Sequence, residues 1–158
     1  MIKFRKFNLE EYDKKKHYVL VKNLERDEGI KEFITPRFVS WIDNMDKGNE
    51  RFSVNTPYVI VRDNKYIGML GALDMSYDGI VDFWCGIDSK ERRKGYGDEI
   101  LGEMTLYLAE NFKDVRLKIK KWNKTSKNRA MGNGYVIDEL ESREDRENDI
   151  YYYFGKKH

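Results

Sequence analysis

From Tyr58 the chain falls into short apolar runs separated by turns, and after Gly97 the apolar spacing lengthens to three and four residues. Tyr58–Val61 and Tyr66–Asp74 predict two strands joined at Asp63-Asn64, a dipeptide suited to a tight hairpin. Ser76-Tyr77-Asp78-Gly79 predicts the next turn and Ile80–Ile87 a third strand, so that the three form an antiparallel meander. Ile100, Leu101, Met104, Leu108 and Phe112 make one helical stripe. Val115-Arg116-Leu117-Lys118-Ile119-Lys120 alternates strictly, the pattern of a strand with one buried face. A short helix over Ser126–Met131, ending at Gly132 and Gly134, and two strands at Tyr135–Leu140 and Ile150–Phe154 complete this part.

The first third is harder to read. Residues 2–7 alternate apolar and basic, which fits a short half-buried strand. Asn8 is placed to cap a helix beginning at Leu9-Glu10-Glu11 and reaching about Asn23, with acidic residues where the helix dipole favours them. A second helix is expected within Ile30–Met45, with Pro36 restricting where it starts. The order is then β-αα-βββ-α-β-α-ββ, an α+β domain with a central mixed sheet of about seven strands. There is no repeat, linker or low-complexity stretch, so residues 1–158 are expected to form one domain.

Composition narrows the function classes. Thirty basic and 28 acidic side chains leave a formal charge of +2, without the basic excess of a nucleic-acid-coating protein. Eleven Tyr, eight Phe and three Trp supply large apolar bodies despite 37% charged residues, which argues for a packed core. The single Cys85 cannot form an internal disulfide, and no apolar run approaches bilayer length. The expectation is a cytoplasmic protein without a membrane partner.

Chemistry concentrates between Ile87 and Gly97. There Arg92-Arg93-Lys94-Gly95-Tyr96-Gly97 joins an apolar strand to an amphipathic helix. Two glycines at a helix start leave backbone N–H groups uncovered, and with the helix dipole and the three cations they suit an anion, a pyrophosphate best of all. Neither GxxxxGK(S/T) nor GxGxxG is present, so the two familiar nucleotide loops are excluded. On local chemistry alone, a glycine turn between solvated charges fits as well.

Arg92–Gly97 resembles the (Q/R)-x-x-G-x-(G/A) signature of the GNAT superfamily of N-acetyltransferases. Ser89-Lys90-Glu91-Arg92-Arg93-Lys94-Gly95-Tyr96 is especially similar to a bacterial branch of it whose loop reads P-S-E-R-R-K-G-Y. Downstream, Asn123, Ser126, Ala130 and Gly134-Tyr135 are similar to the family's N-x-x-S-x-x-x-(A/Y)-x-x-x-G-(F/Y). The resemblance covers about residues 58–154, and residues 1–57 by element order only. It implies a GNAT fold and acetyl transfer from acetyl-CoA to an amine by direct attack in a ternary complex. It implies further that backbone groups near Cys85–Ile87 hold the pantetheine and acetyl group and that amides of Arg93–Gly97 hold the pyrophosphate. Asn123 and Ser126 match positions on the pantetheine or adenosine side. Homodimers are common in such domains.

Acetyl transfer needs an acceptor that loses a proton, a polarised thioester carbonyl and a neutralised leaving thiolate; a backbone N–H suffices for the second. Asp82 interrupts an apolar strand, where a carboxylate is costly unless paired or used, and it is the candidate general base. The bland reading is a carboxylate facing solvent or bonded to a neighbouring strand. Ala130 stands where many relatives carry the Tyr that protonates the thiolate, so the acid is unassigned, with Tyr135 and Tyr151–Tyr153 as substitutes. Cys85 reads as a small hydrophobe rather than a covalent nucleophile, since no His is near it in sequence. His17, His158 and Cys85 give no metal-ligand spacing, and no metal is expected.

Charge is segregated: residues 113–130 carry eight Lys/Arg against one acid, and residues 138–149 seven Asp/Glu against two Arg. The first run suits the phosphates of CoA and the second a cationic acceptor, although both also suit solvated faces. Two other classes compete. One is a GNAT-like domain that binds acyl-CoA without catalysis, suggested by Ala130. The other is an RNA-binding protein, which the lone Trp122 among the basic residues 113–130 disfavours. Specificity in the superfamily tends to sit in the early helices and the last hairpin, here about residues 8–55 and 138–149.

Overall fold

The computed structural model describes residues 8–13, 15–26, 54–74, 79–138 and the strand 150–155. The chain divides into two compact units, Met1–Ala72 with Cys85–Gly97, and Leu73–Trp84 with Asp98–His158.

In the first unit, β1 (Asn8–Glu11) pairs antiparallel with β2 (Tyr58–Arg62), from Asn8↔Val61 to Glu11↔Tyr58. This corrects the helix expected from Leu9. Leu9 is fully buried in the ladder, and the cross-strand hydrogen bonds outweigh the local capping preference of Asn8. The helix starts later, as α1 (Tyr18–Glu25), burying Leu20, Val21 and Leu24. Asp13 prepares the turn before it, since its Oδ1 accepts the backbone N–H groups of Lys15 and Lys16 at 2.9 and 3.1 Å. The expected strand at 2–7 and the helix within 30–45 lie outside the described residues.

β2 and β3 (Lys65–Asp74) form the expected hairpin. Asp63 and Asn64 both take positive φ, 48° and 61°, as a two-residue turn matched to strand twist requires. Ile60 faces Gly68 while Val61 faces Tyr66, so Ile67 is a bulged extra residue on β3. Without a partner on β2, Ile67 turns its carbonyl to the backbone N–H of Asp88, at 2.8 Å. Gly68 is needed for close approach, because a Cβ there would stand 2.2 Å from the Gly86 carbonyl oxygen.

The second unit is built on β4 (Ile80–Ile87), whose last three residues belong to the first unit, and β5 (Asp114–Lys120). They pair in parallel from Ile80↔Asp114 to Phe83↔Leu117. β5 also pairs antiparallel with β7 (Ile150–Gly155), and β7 with β6 (Tyr135–Asp138). The sheet is thus mixed, with its parallel ladder at β4 and β5. Helix α2 (Tyr96–Leu108) buries Ile100, Leu101, Met104 and Leu108, as the stripe predicted. The stripe's fifth member, Phe112, lies beyond the end of the helix. Helix α3 (Lys124–Gly132) stops where Gly134 takes φ 84°. No helix among the described residues is long and apolar enough to cross a membrane.

Candidate functional site

β4 ends at Ile87, and the chain turns through a short 3-10 segment, Ser89–Glu91, before α2 begins. Asp88 organises this corner and is itself buried. Its Oδ1 accepts the N–H of Lys90 at 3.3 Å, its Oδ2 accepts Asn23 Nδ2 of α1 at 3.2 Å, and its carbonyl accepts the N–H of Glu91 at 2.8 Å. Arg92 folds back so that Nε donates to the Ile87 carbonyl at 3.0 Å. Lys94 Nζ pairs with Glu91 Oε2 at 2.7 Å, and that bond holds the Glu91 carboxyl below its ordinary range.

Two backbone positions in the loop are left-handed, Arg93 at φ 64° and Gly95 at φ 80°. For Arg93 this conformation costs on the order of 1 kcal/mol or more, since its Cβ crowds the following carbonyl. Above Gly95 there is room: a Cβ would meet nothing within 4 Å. The loop presents a helix N-terminus with an open approach to its backbone. Of the three cations expected to line it, Arg92 is tied to the end of β4, Lys94 is paired with Glu91, and Arg93 is exposed.

One contact went unseen in the sequence. Arg62, last residue of β2, donates from Nη1 to the Tyr96 hydroxyl, with its guanidinium carbon 4.6 Å from the Tyr96 ring centroid. No sequence signal marks it, because a basic residue beside a hairpin turn is ordinary.

In the second unit the structure gives Asp82 a partner. Asp82 and Arg116 face each other in the parallel ladder, and the guanidinium grips both carboxylate oxygens, Nε on Oδ1 and Nη2 on Oδ2, the latter at 2.9 Å. Arg116 is almost fully buried, which explains why β5 departs from the expected one-face burial. The ion pair gives the Asp82 carboxylate a charged partner within an apolar strand.

Asn123 and Ser126 act together at the start of α3. Asn123 is the N-cap, and its Oδ1 accepts the N–H of Ser126 at 3.2 Å. Ala130 is fully buried. Tyr135 is buried as well; its hydroxyl lies 2.5 Å from Thr105 Oγ1, which in turn donates to the Leu101 carbonyl at 2.7 Å. The Tyr135 proton therefore points to Thr105, and burial pushes its pKa up to about 12. As a replacement acid it is poorly disposed. The side chains of Tyr151–Tyr153 lie outside the described residues. Asp98, Thr125, Asn128, Arg129, Gly132 and Asn133 line a groove of ≈ 540 Å³ along α3, with Arg129 Nε 3.6 Å from Asp98 Oδ1.

No family model matches the chain, and no curated protein matches it by sequence. Solved structures do resemble it. An acetyltransferase of the GNAT family from Bacillus anthracis is similar with a TM-score of 0.70 at 14% identity, over 97% of this chain and 96% of that one. The spermidine N-acetyltransferase from Vibrio cholerae, in complex with CoA and spermine, is similar with a TM-score of 0.61 at 12% identity, over 84% and 82%. The aminoglycoside acetyltransferase AAC(6')-Ib, in complex with coenzyme A and kanamycin, reaches 0.65 at 12% identity, over 96% and 95%. The fold is the GNAT fold.

Proposed function

We propose that this chain is an acyltransferase that moves an acetyl group from acetyl-CoA to an amine by direct attack in a ternary complex. The observation that carries the reading is the loop before α2: Gly95 is held at φ 80° under open space at a helix N-terminus. Free backbone donors at the positive end of a helix suit a pyrophosphate. The fold likeness supports the reading, since the Vibrio cholerae enzyme and AAC(6')-Ib were solved with CoA and with amine ligands. We take residues 1–158 as one functional domain, because β4 and α2 each run without a break from one unit into the other. The lone Cys85 supports a reducing, cytoplasmic setting.

In this reading the amides of Arg93–Gly97 hold the pyrophosphate, with Arg92 fastening the loop to β4. Backbone groups of Cys85–Ile87 hold the pantetheine and acetyl group. Asn123 and Ser126 shape the start of α3. The amine attacks the thioester carbonyl carbon, the C–S bond breaks, the amine gives up a proton and the departing thiolate takes one. We assign neither transfer to Asp82, which is bound to Arg116. Ala130 favours a second reading, a domain that binds acyl-CoA without turnover, and release of free thiol in the presence of amines separates the two.

Thermal unfolding with and without acetyl-CoA, for wild type and Gly95→Glu, tests the proposal. At about 100 times its Kd, acetyl-CoA is expected to stabilise the wild type by roughly 2.7 kcal/mol, on the order of 5–10 °C. Gly95→Glu places a carboxylate where the phosphates are expected and should abolish the response. A wild type indifferent to millimolar acetyl-CoA would remove the basis for the enzyme.

A further inference from the structure

Within Gly95-Tyr96-Gly97 a single side chain can anchor the backbone, because glycine flanks Tyr96 on both sides. The anchor's partner is Arg62, which reaches from the end of β2 to bond the Tyr96 hydroxyl and stack on its ring. Arg62 Nε also lies 3.8 Å from Asp63 Oδ2, an exposed carboxylate in the adjoining turn. The ties from Arg92 to Ile87 and from Lys94 to Glu91 fasten the loop upstream of Gly95.

We infer that Arg62 is a positioning residue for the phosphate site, holding Tyr96 at the first position of α2 so that the amides of Gly95–Gly97 stand ready for a ligand. The inference rests on the acetyl-CoA reading above and adds to it a residue from a different hairpin. Glycine loses more conformational freedom on ordering than any other residue. A loop with two of them pays that cost on binding unless something orders it beforehand, and prior ordering appears directly as affinity. Arginine suits the task better than lysine, since its planar fork can stack on a ring and donate at its edge together. Its charge also stands beside the helix end where phosphates are expected.

The test measures CoA affinity by calorimetry and backbone NMR order parameters in the ligand-free protein, for wild type, Arg62→Ala, Arg62→Lys and Tyr96→Phe. Arg62→Ala is expected to weaken CoA about tenfold, the scale of one lost ring–cation anchor, and to lower the order parameters at Gly95–Gly97 from about 0.85 to below about 0.6. Order parameters at Ile60 and Met69 in the hairpin should hold at their wild-type values. Arg62→Lys and Tyr96→Phe, which keep the charge over the ring, should fall between the two. Lower order parameters everywhere in Arg62→Ala would make the contact a general stabiliser and overturn the inference. So would an Arg62→Ala variant that binds CoA as tightly as a wild type that binds. A wild type that fails to bind CoA overturns the acetyl-CoA reading and the phosphate role of Arg62 together. Order at Gly95–Gly97 then reports separately whether Arg62 orders the loop.

Discussion

The approach to α2 and the approach to α3 each carry one of the two motifs, yet they satisfy their polar groups in different ways. Around β5 and α3 the fold itself uses the polar groups of the motif and of the strands beside it. Asn123 caps the helix, Asp82 and Arg116 pair with each other, and the Tyr135 hydroxyl donates a hydrogen bond to Thr105. Before α2 the backbone is bent into the left-handed region at Arg93 and Gly95, and the latter faces open space. Strain of this kind persists when the surroundings impose it, and it clusters where a ligand is gripped. A motif residue therefore carries evidence for a ligand only when the fold has not already employed it.

Substitutions in the two regions should consequently register in different measurements. The largest effect is expected from Arg116→Ala, which leaves the Asp82 carboxylate without its counter-charge and should cost about 3–5 kcal/mol in urea unfolding. A loss under 1 kcal/mol would mean that the ion pair is not structural, and Asp82 would return as a candidate base.

Alkaline unfolding probes the same region. The Tyr135 hydroxyl is raised from 10 to about 12 in the folded state, so its contribution is complete below pH 10 and disappears as pH rises through 12. A rise of that size corresponds to roughly 2–3 kcal/mol, lost over that window in wild type and absent from the pH profile of Tyr135→Phe. Coinciding profiles would show that the Tyr135 hydroxyl is not buried in the folded state.

The smallest effect belongs to the other region. Arg93→Gly relieves a left-handed residue and should raise stability by up to about 1 kcal/mol, the strain released less the freedom glycine gains on unfolding. Its acetyl-CoA response should persist, because the amide remains. A destabilised Arg93→Gly would place a contact of the Arg93 side chain above its strain and blur the contrast between the regions.

Much of the fold was legible because its signals are local. The Asp63-Asn64 hairpin, the strand Ile80–Ile87, the helix stripe through Leu108 and the stop at Gly134 are each written in a few adjacent residues, and each is observed. At the N-terminal end the local signal misled. Asn8 is a good helix cap, but the edge of β2 offered Leu9 and its neighbours a ladder, and burial settled the choice. The loop before α2 stood out as a glycine and arginine pattern. That Arg92 and Lys94 are occupied within the loop, while Arg62 reaches it from another strand, was not.

The sequence by itself determined the strand and helix periods, the turn chemistry and the two motifs. These depend on residues within one or two turns of one another, where steric and dihedral preferences act. Tertiary structure alone decided which charged groups are spent on one another. Asp82 meets Arg116 through strand register, Gly68 is required by the Gly86 carbonyl, and Arg62 finds Tyr96 across 34 positions of chain. Such pairings depend on distance in space, and a carboxylate or guanidinium reads the same in sequence whether it faces water, a partner or a phosphate.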